Sequence, residues 1–232
     1  MKLILVRHGE SLWNRENRFT GWTDVDLTQK GVNEAKRCGR LLSKYDITFD
    51  ITYTSYLRRA IKTAFYISEA ATRLWTPVVK AWQLNERHYG ALQGLNKEET
   101  IAEYGVEKVK EWRRSYNTRP PLVDIDDKRY PIYDNMYAGI PEKFIPRGES
   151  LKDTSERFLP YYKSIIEAEL QKGQNVLIAA HGNSLRSLIM YLENLSQEAV
   201  VSREIPTGTP LIYDLAGDMT VIKSYTLSNK KQ

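Results

Sequence analysis

The sequence has one cysteine, Cys38. An internal disulfide is therefore excluded, as is any metal site built on a cysteine cluster. Histidine is almost as scarce, with three in 232 residues, and no H-x-x-x-H spacing supplies the usual pair of zinc ligands. Long apolar runs are missing too. No stretch approaches the roughly 18 residues of a membrane-spanning helix, and only Leu3-Ile4-Leu5-Val6 separate Lys2 from Arg7, too few for a signal-peptide core. These absences lead to the expectation of a reducing, cytoplasmic setting without membrane attachment. Neither a repeat nor a low-complexity linker interrupts the chain. There is no arginine-rich arm and no zinc-finger spacing, so the net charge of +5 is not read as a nucleic-acid footprint. It suits small anionic ligands instead.

What is present is an alternation of apolar strands and amphipathic helices. The composition, 41% hydrophobic and 27% charged, is that of an ordinary globular chain, and its length suffices for one core. Residues 2–7 are continuously apolar and read as a strand buried on both faces. A helix is expected from Thr28, its N-cap, to about Tyr45, with Val32, Ala35 and Leu42 on its inner stripe and Cys38 as packing. Strands are expected at 49–55 and 76–82 around a helix at 57–74, and helical pieces at about 96–115. A long helix should start at Ser150, paired with Asp153 in a capping box, with Leu151, Phe158, Tyr162, Ile165 and Ile166 facing inward. A buried strand at 175–180 leads into a helix at 183–192, and two strands close the chain at 210–214 and 220–225. The pattern predicts one α/β domain over residues 1–232, a three-layer sandwich with a mainly parallel central sheet flanked by helices. Residues 117–147 hold five of the nine prolines and are expected to be an irregular segment covering the site.

In parallel sheets ligands collect at the carboxyl ends of the strands. Two strands here end alike: "LILVRHG" in Arg7-His8-Gly9 and "VLIAAHG" in Ala180-His181-Gly182. A single His-Gly could be a strand cap; two at equivalent positions point to a site. Arginine beside histidine disfavours a cation and suits a phosphate, which guanidinium grips with a two-pronged fork. Arg58 and Arg59 follow the second strand near a helix start, where backbone N–H groups also favour an anion. Glu86 lies just past the third strand, in "LNERHYGALQGLNKEE", where a carboxyl group could serve as proton donor. Phosphoryl transfer unites these groups. Imidazole attacks phosphorus, the carboxyl group protonates the leaving oxygen, and fixed cations neutralise the equatorial oxygens without a metal.

The motifs "RHGES.WN" (7–14), "RFTGWTDVDLT" (18–28) and "AAHGNSLR" (179–186) resemble the histidine phosphatase superfamily. More narrowly, "LNERHYGALQGLNK" (84–97), "WRRSY" (112–116) and "IPTGTPL" (205–211) resemble the cofactor-dependent phosphoglycerate mutases, and the similarity runs from Lys2 to about Leu227. The resemblance implies interconversion of 3-phosphoglycerate and 2-phosphoglycerate in glycolysis and gluconeogenesis, primed by 2,3-bisphosphoglycerate and metal-independent, with minor synthase and phosphatase activities. It implies His8 as the phosphorylated nucleophile and Glu86 as the proton donor. Arg7, Arg59, His181 and Asn14 would form the pocket for the transferred group. Thr20, Gly21, Tyr89, Lys97, Arg113, Arg114 and Asn183 would hold the rest of the substrate, with the two adjacent arginines on its carboxylate or second phosphate. The family also implies a homo-oligomer, a dimer or tetramer, with the dimer favoured. Family members often carry a longer C-terminal tail; the short ending "SNKKQ" leads to the expectation of a solvated end that closes less fully and lets more phosphoenzyme hydrolyse. Two other readings stand beside this one: a phosphohistidine phosphatase for another small phosphoester, and a non-catalytic scaffold on the same fold.

Overall fold

A computed structural model describes residues 1–227; the "SNKKQ" ending, and with it the tail expectation, lies outside the described residues. The central sheet has six strands: β1 (Lys2–Arg7), β2 (Ile51–Thr54), β3 (Val78–Lys80), β4 (Val176–Ala180), β5 (Pro210–Leu215) and β6 (Val221–Thr226). Their order is β3-β2-β4-β1-β5-β6. β1, β2, β3 and β4 run parallel, with Leu5 opposite Ile178 and Tyr53 opposite Ile178 on its other side. β5 and β6 join antiparallel, so the sheet is mixed: parallel where crossover helices intervene, antiparallel where a tight turn joins the last two strands.

Alternating side chains feed two apolar layers. Leu3, Leu5, Ile178 and Tyr213 face one way, toward α6 (Leu151–Tyr161), α7 (Glu167–Gln171) and α8 (Gly182–Glu193). Ile4, Val6, Leu177 and Ile212 face the other, toward α2 (Gln29–Lys44) and α3 (Arg58–Ala70). This is the three-layer α/β arrangement expected, and the continuous apolar runs of β1 and β4 are buried on both faces. Thr28 caps α2 by accepting from the Gly31 N–H. Cys38 is fully buried and burial pushes its thiol up to about 12, consistent with packing rather than chemistry. Val32, by contrast, is only half-buried; Gly31 and Leu41 take its place on the inner face.

Several expectations need correction. The strand at 76–82 is limited to Val78–Lys80, because Trp82–Leu84 close into a 3₁₀ turn. A short helix α1 (Leu12–Arg15) and a helix α9 (Gln197–Ser202) have no sequence counterpart in the reading above; both are too short for a helical stripe to show. The Ser150–Asp153 capping box is present, yet Ile165 is 44% exposed. Pro160 sits inside α6, and the next turn, Tyr162–Ile166, is a π turn. A wider turn rotates the inward face, so Tyr162 and Ile166 stay buried while Ile165 turns outward.

The segment 117–147 contains only short 3₁₀ turns. It is nevertheless anchored. Tyr130, Tyr137, Val123 and Ile145 form an apolar cluster with Trp22, the Pro121 carbonyl accepts from Ala91 N–H at 2.8 Å, and Asn85 donates to the Tyr137 hydroxyl at 2.9 Å. It therefore packs on the loop that carries Glu86. Among the described residues no helix is long and apolar enough to cross a membrane.

Candidate active site

The carboxyl ends of β1, β2, β3 and β4 converge on one rim. His8 follows β1, Ser55 follows β2, Glu86 lies beyond β3, and His181 follows β4. The two imidazole rings stand 5.0 Å apart, edge toward face. The His8 ring nitrogen Nδ1 lies 2.7 Å from the Gly9 carbonyl oxygen. A carbonyl can only accept, so Nδ1 carries the hydrogen and Nε2 is left with its lone pair. Arg59 points its Nε–H at that Nε2, 3.3 Å away. Burial, then the charges of Arg59 and Arg7, hold the His8 pKa well below the ordinary histidine value, so the ring is neutral at pH 7 and keeps its Nε2 lone pair.

Arg59 is itself buried. Its Nη1 donates to the Thr23 carbonyl at 2.9 Å and its Nη2 to the Gly21 carbonyl at 2.7 Å. The loop must fold tightly to present both carbonyls, and Gly21 at φ +54° allows that turn. Thr20 is buried one residue earlier. Burial pushes the Arg59 pKa down to about 10, which still leaves it cationic. Arg7 donates Nη1 to the Ile205 carbonyl at 3.0 Å. Neither arginine forms an ion pair among the described residues.

His181 is held by Ser55, whose hydroxyl lies 2.8 Å from its Nε2 and also accepts from Leu57 N–H. Among the described residues its Nδ1 is buried without a partner, and so is Arg7 Nε. Buried polar atoms left unpaired are rare and ask for an occupant. Two such atoms beside a neutral imidazole and a buried guanidinium form a cradle that a phosphoryl group would fill.

Glu86 accepts at Oε1 from two backbone N–H groups, Arg87 at 2.8 Å and Asn183 at 3.0 Å. The second comes from the first turn of α8, where free N–H groups attract a carboxylate. Its Oε2 looks toward the gap over Gly182: a Cβ placed there would lie 3.7 Å from Glu86 Oε2, from Arg7 Nε and from Arg186 Nη1. Gly182 thus keeps open the space where carboxyl group and cations meet.

Beyond Glu86 lies a second cationic wall. Arg87, Arg113, Arg114, Arg186 and Asn183 line a narrow pocket. Asn183 donates to the Tyr89 hydroxyl at 3.3 Å and accepts from Arg186 at 3.2 Å. The Arg87 guanidinium stacks 4.6 Å over the Tyr89 ring. Lys97 approaches the Phe19 ring; burial, then the charges of Arg113, Arg7 and Arg114 against an opposing effect of Tyr89, lowers its pKa. Arg186 is lowered by burial and then by Arg114 and Arg7. Crowding of like charges to this degree is costly without an anion.

Not every residue singled out by sequence is equally placed. Asn14 uses its side-chain oxygen to cap Ser11 N–H in the first turn after β1, leaving only its amide N–H₂ free for a ligand. Arg114 already donates to the Val201 carbonyl and to Glu204, both at 3.3 Å, whereas the Arg113 side chain forms no hydrogen bond among the described residues. Three contributors were missed: Ser55, which orients His181, and Arg87 and Arg186, which widen the cationic wall. The two arginines were visible inside "LNERHYG" and "AAHGNSLR", but nothing in their spacing marked them as facing the site.

The sequence profile of the histidine phosphatase superfamily, branch 1, matches residues 3–127 and 122–228. The chain belongs to this superfamily. It is a phosphatase-like or mutase-like enzyme of phosphoryl transfer, and the paired histidines and buried guanidiniums are what that chemistry requires. Among solved structures it is similar to YhfR of Bacillus stearothermophilus, at 26% identity over 95% of this chain and 93% of that one, with a TM-score of 0.72. Two further likenesses concern the fold alone. A mycobacterial glucosyl-3-phosphoglycerate phosphatase is 23% identical over 92% of each chain, TM-score 0.70. A phosphoglycerate mutase from Bacillus anthracis is 24% identical over 95% of this chain and 90% of that one, TM-score 0.67.

Proposed function

We propose that this enzyme interconverts 3-phosphoglycerate and 2-phosphoglycerate through a phosphohistidine at His8. The observation that carries the reading is the second cationic wall. A simple monoester phosphatase needs cations only around the phosphoryl group, which Arg7 and Arg59 provide. Arg87, Arg113, Arg114, Arg186 and Lys97 are matched in charge to a further anion on the same small substrate, as in a phosphoglycerate carboxylate or the second phosphate of 2,3-bisphosphoglycerate. The buried Arg7 Nε–H and the His181 ring, with Nδ1 unpartnered among the described residues, fit the bisphosphate's transferred group. When bound, 2,3-bisphosphoglycerate supplies the priming phosphoryl group.

The residues divide the work as follows. His8 Nε2 forms a bond to phosphorus as the ester P–O bond breaks, and its Nδ1–H stays on the Gly9 carbonyl. Glu86 delivers its proton to the departing oxygen, then as a carboxylate takes a proton from the hydroxyl that is to be phosphorylated. Arg59, released from Nε2, turns its Nε–H to a phosphoryl oxygen, and Arg7 and His181 hold the others. Arg113 and its neighbours hold the second anion in place while either hydroxyl comes under the phosphoryl group. Thr20, Gly21, Asn14, Tyr89 and Asn183 shape the cleft between the two anion sites. In this reading the enzyme is metal-independent, cytoplasmic and a homodimer.

A second reading, hydrolysis of another small phosphoester, is favoured by the fold likeness to a glucosyl-3-phosphoglycerate phosphatase. One assay separates the two. Isomerisation of 3-phosphoglycerate, measured with a metal chelator present, should be slow alone and strongly stimulated by 2,3-bisphosphoglycerate. Phosphate release without isomerisation under both conditions would favour the phosphatase, and loss of activity with the chelator would contradict the metal-free mechanism.

A further inference from the structure

Against the backbone of the Glu86 loop lies a buried ion pair that the chemistry above does not use. Arg157, on α6, and Glu149, just before α6, have side chains only 6% and 5% exposed. They meet in a two-pronged fork: Arg157 Nε to Glu149 Oε1 at 2.8 Å and Nη2 to Oε2 at 2.9 Å. The remaining guanidinium hydrogens do not go to solvent. Nη1 donates to the Gln83 carbonyl at 2.6 Å and reaches the Trp82 and Asn85 carbonyls at 3.3 Å. Nη2 reaches the Asn85 and Glu86 carbonyls at 3.3 Å. Glu149 meanwhile takes the His88 N–H at 2.8 Å on its Oε2, and its own N–H donates to the His88 carbonyl at 2.8 Å.

The pair therefore grips residues 82–88 at both ends, with Glu86 between. The Glu86 carbonyl is fixed a second time by the Trp22 indole N–H at 2.6 Å, and the Arg157 guanidinium stacks 5.4 Å over the Trp22 ring. A buried ion pair is a poor source of stability for its desolvation cost, and an apolar pair would pack as well. What an apolar pair could not do is bind four carbonyls of one loop, those of Trp82, Gln83, Asn85 and Glu86, from one rigid plane. We propose that Arg157, locked by Glu149, is a positioning residue: it sets where the loop holds the Glu86 backbone, and so how closely the Glu86 carboxyl group reaches the leaving oxygen. This rests on the reading of Glu86 as proton donor. A misplacement of about 1 Å in a catalytic group can cost roughly 100-fold in rate.

The test uses leaving groups that differ in their need for a proton. Values of kcat/KM for phosphate release are measured over a series from 2,4-dinitrophenyl phosphate through phenyl phosphate to 3-phosphoglycerate, on the full-length enzyme. A dinitrophenolate departs unprotonated, whereas the alkoxide of 3-phosphoglycerate requires the acid. Arg157→Lys keeps the charge near the histidines and loses the planar fork. It should lose at least about tenfold more on 3-phosphoglycerate than on 2,4-dinitrophenyl phosphate. Glu149→Gln, which keeps size and one acceptor, should shift the series in the same direction, by less. Glu86→Gln is the reference and should show the largest differential. Equal losses across the series in Arg157→Lys and Glu149→Gln, with Glu86→Gln still selective, would overturn the positioning role and leave the proton donor standing. Equal losses in Glu86→Gln as well would remove the proton-donor reading, and the positioning role with it.

Discussion

In the proposed mechanism His8 owes its reactivity to two neighbours that act on opposite nitrogens. The Gly9 carbonyl fixes the hydrogen on Nδ1, and Arg59 faces the lone pair on Nε2. Because burial and the adjacent guanidiniums hold the His8 and His181 pKa values well below 6.5, phosphoenzyme formation should show no acid limb near pH 6.5; stopped-quench measurement across pH 5–8 checks this. Stability carries the matching sign. Burial, with Arg157 and Arg129 adding, depresses His88 to about 3, against about 6.5 in the unfolded chain. Below pH 6.5 the unfolded state binds protons that the folded state refuses. Stability is thus full above about pH 6.5 and falls with decreasing pH, by roughly 1.4 kcal/mol per pH unit for each such histidine. Urea unfolding at pH 7 and pH 5 should show the drop, and equal stability would contradict the buried neutral state. Arg59→Met should slow phosphoryl transfer by about 100-fold or more, as loss of a fixed donor does elsewhere, with little change in fold if the Gly21 loop re-forms.

At the scale of elements, the site depends on loops brought into contact by glycine. Gly9 follows β1 and Gly31 lies in the first turn of α2, and backbone fills the space where each would carry a Cβ: one on Gly9 would run into the Gly31 carbonyl, one on Gly31 into the Glu10 carbonyl. Gly31→Ala should therefore push the His8 loop away from α2. A loss of about 1–3 kcal/mol is expected from such overpacking, with a larger relative loss of activity; thermal unfolding and the isomerase assay together measure it. β1 and β4 were legible in the sequence because both-face burial makes their apolar runs continuous, and the His-Gly ending of each marked the rim. Glu86 was legible by its place after a strand. Ser55, Arg87, Arg186 and the Arg157–Glu149 pair were not, since their roles come from contacts between segments far apart in sequence, and a buried arginine looks like any other in one dimension. Ile165 was misplaced for a local reason: a helical stripe assumes a uniform turn, and the π turn after Pro160 breaks it.

For the whole molecule, charge and architecture act together. The chain carries a net +5, and the arginines of the two proposed anion sites gather near the carboxyl ends of the parallel strands. Capture of a multiply charged phosphoglycerate should therefore weaken with ionic strength: kcat/KM for 3-phosphoglycerate should fall several-fold between low and 0.5 M salt, where the screening length drops to roughly 4 Å, while kcat changes little. The parallel half of the sheet supplies both histidines and Glu86, and the antiparallel β5 contributes from its start, where Gly208 N–H donates to the Arg7 carbonyl. The segment 117–147 and the Arg157–Glu149 pair brace the Glu86 loop, whereas His8 is held at the end of β1, so the proposed acid and the proposed nucleophile are held by different parts of one fold. The most direct test of the account is to expose the enzyme to 2,3-bisphosphoglycerate carrying a labelled phosphoryl group, quench, and map the modified residue. The account predicts acid-labile, base-stable phosphate on His8 that disappears in His8→Ala. Label on another residue, or label retained in His8→Ala, would contradict it.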